Sequence, residues 1–224
     1  MVFFPAWMSC HFSPWGKGLT NLPDTLPSGS ILILDDSNPP TNHDTDTIKH
    51  QLEEACFRLK PDCILLDFQH PNNPRAPEII KAIISCLPCS VGVSQLYAPG
   101  LSCPVFLNCP APSVSLETSI KAYHGRELWL ELAPEQQKLT LTKDGCHITP
   151  ELLSPRNEPC FYDRETASCY HWTLSETSAV FYVQRDLSCL QKLLTQAEKL
   201  GITRAVGLYQ QLGADFYHKK APTG

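Results

Sequence analysis

The stretch from Asp62 to Pro71, DCILLDFQHP, constrains the fold more than any other part of the chain. A continuous apolar run, Cys63 to Leu66, follows directly on an amphipathic helical pattern and ends in a carboxylate, an aromatic and an amide. A strand that reads as an unbroken apolar run is buried on both faces, as in a parallel sheet covered by helices. In α/β barrels the reactive side chains stand at the C-terminal ends of such strands. Asp67 and Gln69 are two residues apart and so project from the same side of this one.

The same rhythm recurs along the chain. VFFPAW (Val2 to Trp7) and SILILDD (Ser30 to Asp36) read as the first two parallel strands, with a Gly- and Pro-rich loop around Trp15 between them. Asp44 or Thr45 can cap a helix carrying Ile48, Leu52, Cys56 and Leu59, and Pro77 opens a second helix through Ile79, Ile80, Ile83 and Ile84. Further short strands are expected at Ser90 to Ser94, Pro104 to Asn108 and Glu127 to Leu132. A last helix, started by Asp186 or Ser188 and ended by Gly201, leads into a closing strand RAVGLYQQLG. Strands alternating with helices imply right-handed crossovers, and seven such strands imply a barrel rather than an open sheet. Between them, from Pro134 to about Gln184, the period changes to strict alternation around a turn at Asp144-Gly145 and again in CYHWTLSETSAVFYV. The expected fold is therefore α/β: a single domain over 1–224, a shortened TIM-type (β/α) barrel with an inserted antiparallel hairpin region at about 134–185.

Charge and targeting narrow the function. A net charge of −5 with scattered Lys and Arg leaves no basic footprint, which argues against nucleic acid as a partner. No stretch approaches a membrane span or a signal peptide, so no membrane partner and a cytoplasmic location are expected, with attachment to a spore coat or cell surface left open. Eleven cysteines cannot all pair with one another, and reduced thiols are expected. Cys86 and Cys89 have CxxC spacing that invites a zinc or redox reading with Cys103 and Cys109. Pro88 lies between them at a helix end, so buried small hydrophobes are the favoured role. His11, Asp35, Asp36, His43, Asp67 and His70 all follow the first three strands, where a barrel metallohydrolase gathers ligands, but no HxH or HxxEH spacing supports that set. No metal and no cofactor are expected.

Two separated segments resemble glycoside hydrolase family 18, the chitinase-like barrels. TIKHQLEEACFRLKPDCILLDFQHP is similar to the helix and catalytic strand of that family, whose signature is D-G-x-D-x-D-W-E. Asp62 falls at the first Asp, Leu65 at the second, Asp67 at the third, Phe68 at the Trp and Gln69 at the catalytic Glu. VFYVQRDLSCLQKLLTQAEKLGITRAVGLYQQLGAD is similar to the final helix and strand, with Tyr209 at the Trp that floors the sugar subsite and Gln210 at the Glu beside it. FFPAW resembles the first strand, Y-x-P-x-W, and places Trp7 at its aromatic. No S-x-G-G strand precedes the signature, and FLNCPA (Phe106 to Ala111) lacks the family's M-x-Y-D, so one βα unit is expected to be missing.

The resemblance implies a substrate-assisted mechanism, in which the Glu protonates the leaving oxygen while the third Asp orients the sugar's N-acetyl group. Gln69 has no such proton, and general-acid help worth roughly 10²–10⁴-fold is absent there. An amide still donates a hydrogen bond. The expected site is the mouth formed by Asp67 and Gln69 with Trp7, Asp35, Phe68, Tyr209 and Gln210 as ligand-binding residues. The expected protein is a catalytically inactive or altered member that binds a glycan containing N-acetylglucosamine. The alternatives are a hydrolase, metal-dependent or not, using Asp35, Asp36 or Asp67, and a structural or interaction protein with no ligand. Trp15 and Trp129 are further aromatics that could stack sugar rings.

Overall fold

A computed structural model describes residues 2–40, 43–152, 159–213 and 216, the side chains of Trp7 and Met8 excepted. The first half of the chain runs β1 (Val2–Phe12), β2 (Leu19–Thr20), β3 (Ile31–Asp35), α1 (Thr45–Leu59), β4 (Cys63–Asp67), α2 (Ala76–Cys86), β5 (Ser90–Ser94) and β6 (Val105–Leu107). Then come α3 (Leu116–Ile120) with a short 3-10 turn, and β7 (Leu128–Leu132). An antiparallel block follows: β8 (Glu135–Thr142), β9 (Gly145–Glu151), β10 (Phe161–Asp163), β11 (Ser168–Leu174) and β12 (Ser178–Arg185). The chain finishes with α4 (Leu187–Lys199), β13 (Arg204–Leu208) and α5 (Tyr209–Leu212).

Seven strands form a closed parallel barrel in the order β1, β3, β4, β5, β6, β7, β13, and the pairing of Val2–Ala6 with Arg204–Leu208 completes the ring. β2 only folds back on the end of β1. One strand fewer than the usual eight is what the missing βα unit implies. The ring is narrow enough that side chains fill it: Phe4, Ile31, Ile33, Leu65, Phe106, Trp129 and Val206 meet inside. Gly92 on β5 is required there, because a Cβ at that position would lie 2.6 Å from the Trp129 ring.

Outside, the helices seal the barrel. Asp44 caps α1 by accepting from the Thr47 amide at 3.3 Å, and Ile48, Leu52, Ala55, Cys56 and Leu59 turn one face onto the strands. Pro77 sits in the first turn of α2, whose Ile79, Ile80 and Ile83 join the same core. Asp186 caps α4 through the Cys189 amide at 3.0 Å, and Gly201, with φ of 81°, follows its end.

The inserted block is a five-stranded antiparallel sheet in the order β10-β11-β12-β8-β9. Its first hairpin pairs Thr142 with Gly145, so the two turn residues are Lys143 and Asp144. Arg185 fastens the insertion to the barrel. Its guanidinium is fully buried and donates to the carbonyls of Thr166 at 2.6 Å, Ala111 at 3.4 Å and Pro110.

Candidate functional site

Alternation along the parallel strands builds the barrel mouth. Ile33, Leu65, Phe106 and Trp129 point into the barrel, so the residues two further on, Asp35, Asp67, Asn108 and Glu131, form the next layer up. Asp35 and Asp67 are direct partners in the β3–β4 register. The layer holds three carboxylates, and each is handled differently.

Asp35 accepts from the His11 ring at 2.6 Å and from the Ser37 hydroxyl and amide at 2.6 and 3.0 Å. Burial pushes its carboxyl up, but the hydrogen bonds from Ser37 and His11 outweigh it and hold the group below the usual range. Asp67 accepts only the side-chain amide of Gln69 among the described residues. Burial holds its carboxyl above the ordinary range, the Gln69 bond opposes this, and Asp35 and Asp36 add repulsion. Glu131 accepts the Cys109 amide at 3.0 Å and is raised mainly by burial, with Asp67 and Glu135 adding to it.

Gln69 bridges the mouth. Its amide nitrogen donates to Asp67 and, at 3.2 Å, to Asn108 Oδ1, while Asn108 Nδ2 lies 3.3 Å from Gln69 Oε1. The loop that carries it is fixed from below by Asp36, which is 1% exposed and accepts the amides of Gln69 at 2.8 Å and His70 at 3.1 Å. The His70 ring lies 3.1 Å from the same carboxylate, and Tyr97 donates to the His70 carbonyl. Asp36 is thereby consumed in holding Gln69 in place.

The expected site residues divide accordingly. Asp35, Asp67 and Gln69 meet at the mouth. Phe68 does not face it: the ring is fully buried in the outer core, against Phe12 at 5.5 Å and Tyr97 at 6.3 Å. Alternation from Asp67 requires this, since Phe68 lies on the opposite face. Tyr209 and Gln210 are not on a strand, because β13 ends at Leu208 and the chain turns into α5, with Tyr209 half-buried and Gln210 exposed. The turn follows from Gly207, which leaves room for Leu212 to fold back; a Cβ there would lie 2.3 Å from Leu212 Cδ1. The Trp7 side chain lies outside the described residues. Trp129 plugs the barrel beneath the mouth, and Trp15 is 95% exposed on its loop.

Asn108 and Glu131 were not singled out as site residues by the sequence reading, and Asp36, offered there as an alternative catalytic residue, instead supports the loop beneath Gln69. Glu131 could have been found from Trp129, a large apolar residue two positions earlier whose inward direction fixes that of the Glu. The metallohydrolase set separates into the His11–Asp35 and His70–Asp36 pairs, while His43 contacts the Ser13 carbonyl at 2.9 Å. Among the described residues no three His, Cys, Asp or Glu side chains gather as metal ligands.

No model of a known protein family and no curated protein matches the sequence. Solved structures match the fold. The spore cortex-lytic enzyme SleL of Bacillus cereus superposes with a TM-score of 0.58 at 10% identity, over 92% of this chain and 63% of that one. The fold is that of the chitinase-type barrels. The putative sporulation-specific glycosylase ydhD of Bacillus subtilis gives 0.57 at 7% identity, over 89% of this chain and 88% of that one. A glycoside hydrolase family 18 N-acetylglucosaminidase from Paenibacillus barengoltzii gives 0.50 at 9%, over 85% and 82%. The chain therefore spans less than two thirds of the SleL structure and most of the other two.

Proposed function

We propose that this chain is a degenerate member of the chitinase-like barrels that binds an N-acetylated glycan at its mouth without the family's acid catalysis. The observation that carries the reading is the side chain of Gln69, hydrogen-bonded to Asp67 and Asn108 at the end of β4. In the resembled mechanism the Asp at the position of Asp67 orients the acetamido group, and the Asp67 carboxylate beside Gln69 supports the same role here. Gln69 offers a donor to a sugar oxygen without a proton to transfer. A mouth with three carboxylates, an amide pair and, among the described residues, no Lys or Arg ion pair suits the hydroxyls and acetamide N–H of a neutral sugar better than an anionic one.

The test is calorimetry of the whole chain with N-acetylglucosamine oligomers, together with product analysis. Saturable binding without cleavage is expected, and Asp67→Ala should weaken it at least ~10-fold, the loss of one charge-assisted hydrogen bond. Absence of binding would overturn the reading in favour of a structural or interaction protein. Gln69→Glu supplies the missing acid beside Asp67 and is expected to raise turnover by ~10²-fold or more over the parent. If turnover stays at background while binding persists, the defect lies at Leu65 or in the missing strand instead.

A further inference from the structure

Far from the mouth, the CxxC pair does not act as a pair. Cys86 ends α2 and Cys89 precedes β5, and the sulfur that meets Cys89 belongs to Cys56 on α1, at 3.8 Å. Cys86 instead donates to the Ile83 carbonyl at 3.4 Å, the helix-end carbonyl of its own turn. Pro88, between the two cysteines, separates the helix end from the strand start, which directs Cys89 toward α1.

We propose that Cys89 and Cys56 form a thiol–disulfide exchange site for small aliphatic disulfides, with Cys89 as the attacking thiol and Cys56 as the resolving one. Accessibility assigns the roles: Cys89 is half-buried and reachable, whereas Cys56 is 7% exposed. The electrostatics agree with the geometry. The hydrogen bond from Cys56 chiefly lowers the Cys89 thiol to about 7, against burial, with backbone amides adding to it. The same hydrogen bond and burial push Cys56 up. Cys89 thiolate attacks one sulfur of the disulfide and expels a thiolate. Cys56 then loses its proton to solvent and attacks the Cys89 sulfur, releasing the second thiol. Two protein thiols and one disulfide become one protein disulfide and two small thiols, and the sulfurs need to close by only ~1.8 Å to reach bonding distance.

The chain contains its own control. Cys169 and Cys189 are 3.6 Å apart, closer than the proposed pair, but only 4% and 0% exposed. The experiment treats the full native chain with oxidised glutathione at neutral pH, alkylates remaining thiols, unfolds, alkylates again with a second reagent, and maps the peptides. A Cys56–Cys89 cross-link is expected, with Cys169 and Cys189 still thiols. Under limiting alkylation Cys89 should react ~10-fold or more faster than Cys86, whose thiol is raised by burial and by Glu53. Cys56→Ser should trap glutathione on Cys89, and Cys89→Ser should leave Cys56 unmodified. A Cys86–Cys89 cross-link, glutathione persisting on Cys89 of the parent chain, or unchanged thiols would each overturn the proposal, and none depends on whether a glycan binds.

Discussion

Two regions bury charge in opposite ways. At the seam between barrel and insertion, Arg185 is a fully buried cation whose two terminal nitrogens are directed to backbone carbonyls of Pro110, Ala111 and Thr166. At the mouth, Asp67 and Glu131 are carboxylates that each accept a single hydrogen bond among the described residues and are each held up chiefly by burial, with Asp35 and Asp36 adding repulsion at Asp67, and Asp67 and Glu135 at Glu131. The seam spends its hydrogen bonds on the fold and leaves only Nε without a partner. The mouth keeps acceptor capacity in reserve. A buried group satisfied by the chain is structural, and one left hungry by the chain is where a ligand has something to gain.

The largest effect should come from breaking the seam. Arg185→Ala strips the guanidinium from three carbonyls, leaves that of Pro110 buried without this donor, and opens a void, so a loss of about 3–5 kcal/mol is expected in denaturant unfolding. Arg185→Lys should recover only part of it, since an ammonium cannot span the same carbonyls in a plane. A loss below ~1 kcal/mol would mean that the insertion is held elsewhere.

Asp36→Ala tests the support of the mouth rather than the mouth itself. It frees two backbone amides beneath Gln69, and a loss of about 2–3 kcal/mol is expected together with weaker glycan binding, although Asp36 faces away from the ligand layer. Loss of stability with unaltered binding would show that the loop keeps its shape without this anchor. Gly92→Ala probes the floor: the new methyl meets the Trp129 ring, so about 1–3 kcal/mol of overpacking is expected by the same denaturant measurement.

How much of this could be read from the sequence follows from the range of the interactions. All seven parallel strands were legible because each is a short apolar run bounded by turn residues, and the change to alternation exposed the insertion. The end of the last strand was not, because the chain turns at Tyr209 when Leu212 packs over Gly207, a contact that no run of hydrophobicity encodes. Phe68 was assigned to the mouth by its place in a motif, whereas alternation from Asp67 sends it outward. Glu131 and Asn108 escaped notice since strands apolar on both faces carry little inside–outside pattern, and only the bulk of Trp129 marks which face of its strand turns inward. Arg185 reaches carbonyls up to 75 residues earlier in the chain, beyond any local pattern.

The finest distinction between the two regions is a dependence on pH. Asp67 and Glu131 are raised in the folded chain, so over the window above the ordinary carboxylate range the folded state keeps protons that the unfolded chain has released. Stability from these groups is therefore highest in mild acid and falls as pH rises through that window. Asp35, lowered by Ser37 and His11 against its burial, works the other way: its contribution is present above the ordinary range and is lost as pH falls through its folded value. Glu131→Gln keeps an acceptor for the Cys109 amide and removes the charge that opposes Asp67. Thermal unfolding should show Tm raised by about 2–4 °C at neutral pH and unchanged in acid. Arg185 variants should show no such convergence, because the guanidinium is held by backbone carbonyls, which do not titrate. If Glu131→Gln lowers Tm at neutral pH instead, its carboxylate is satisfied by the fold after all, and the mouth would resemble the seam.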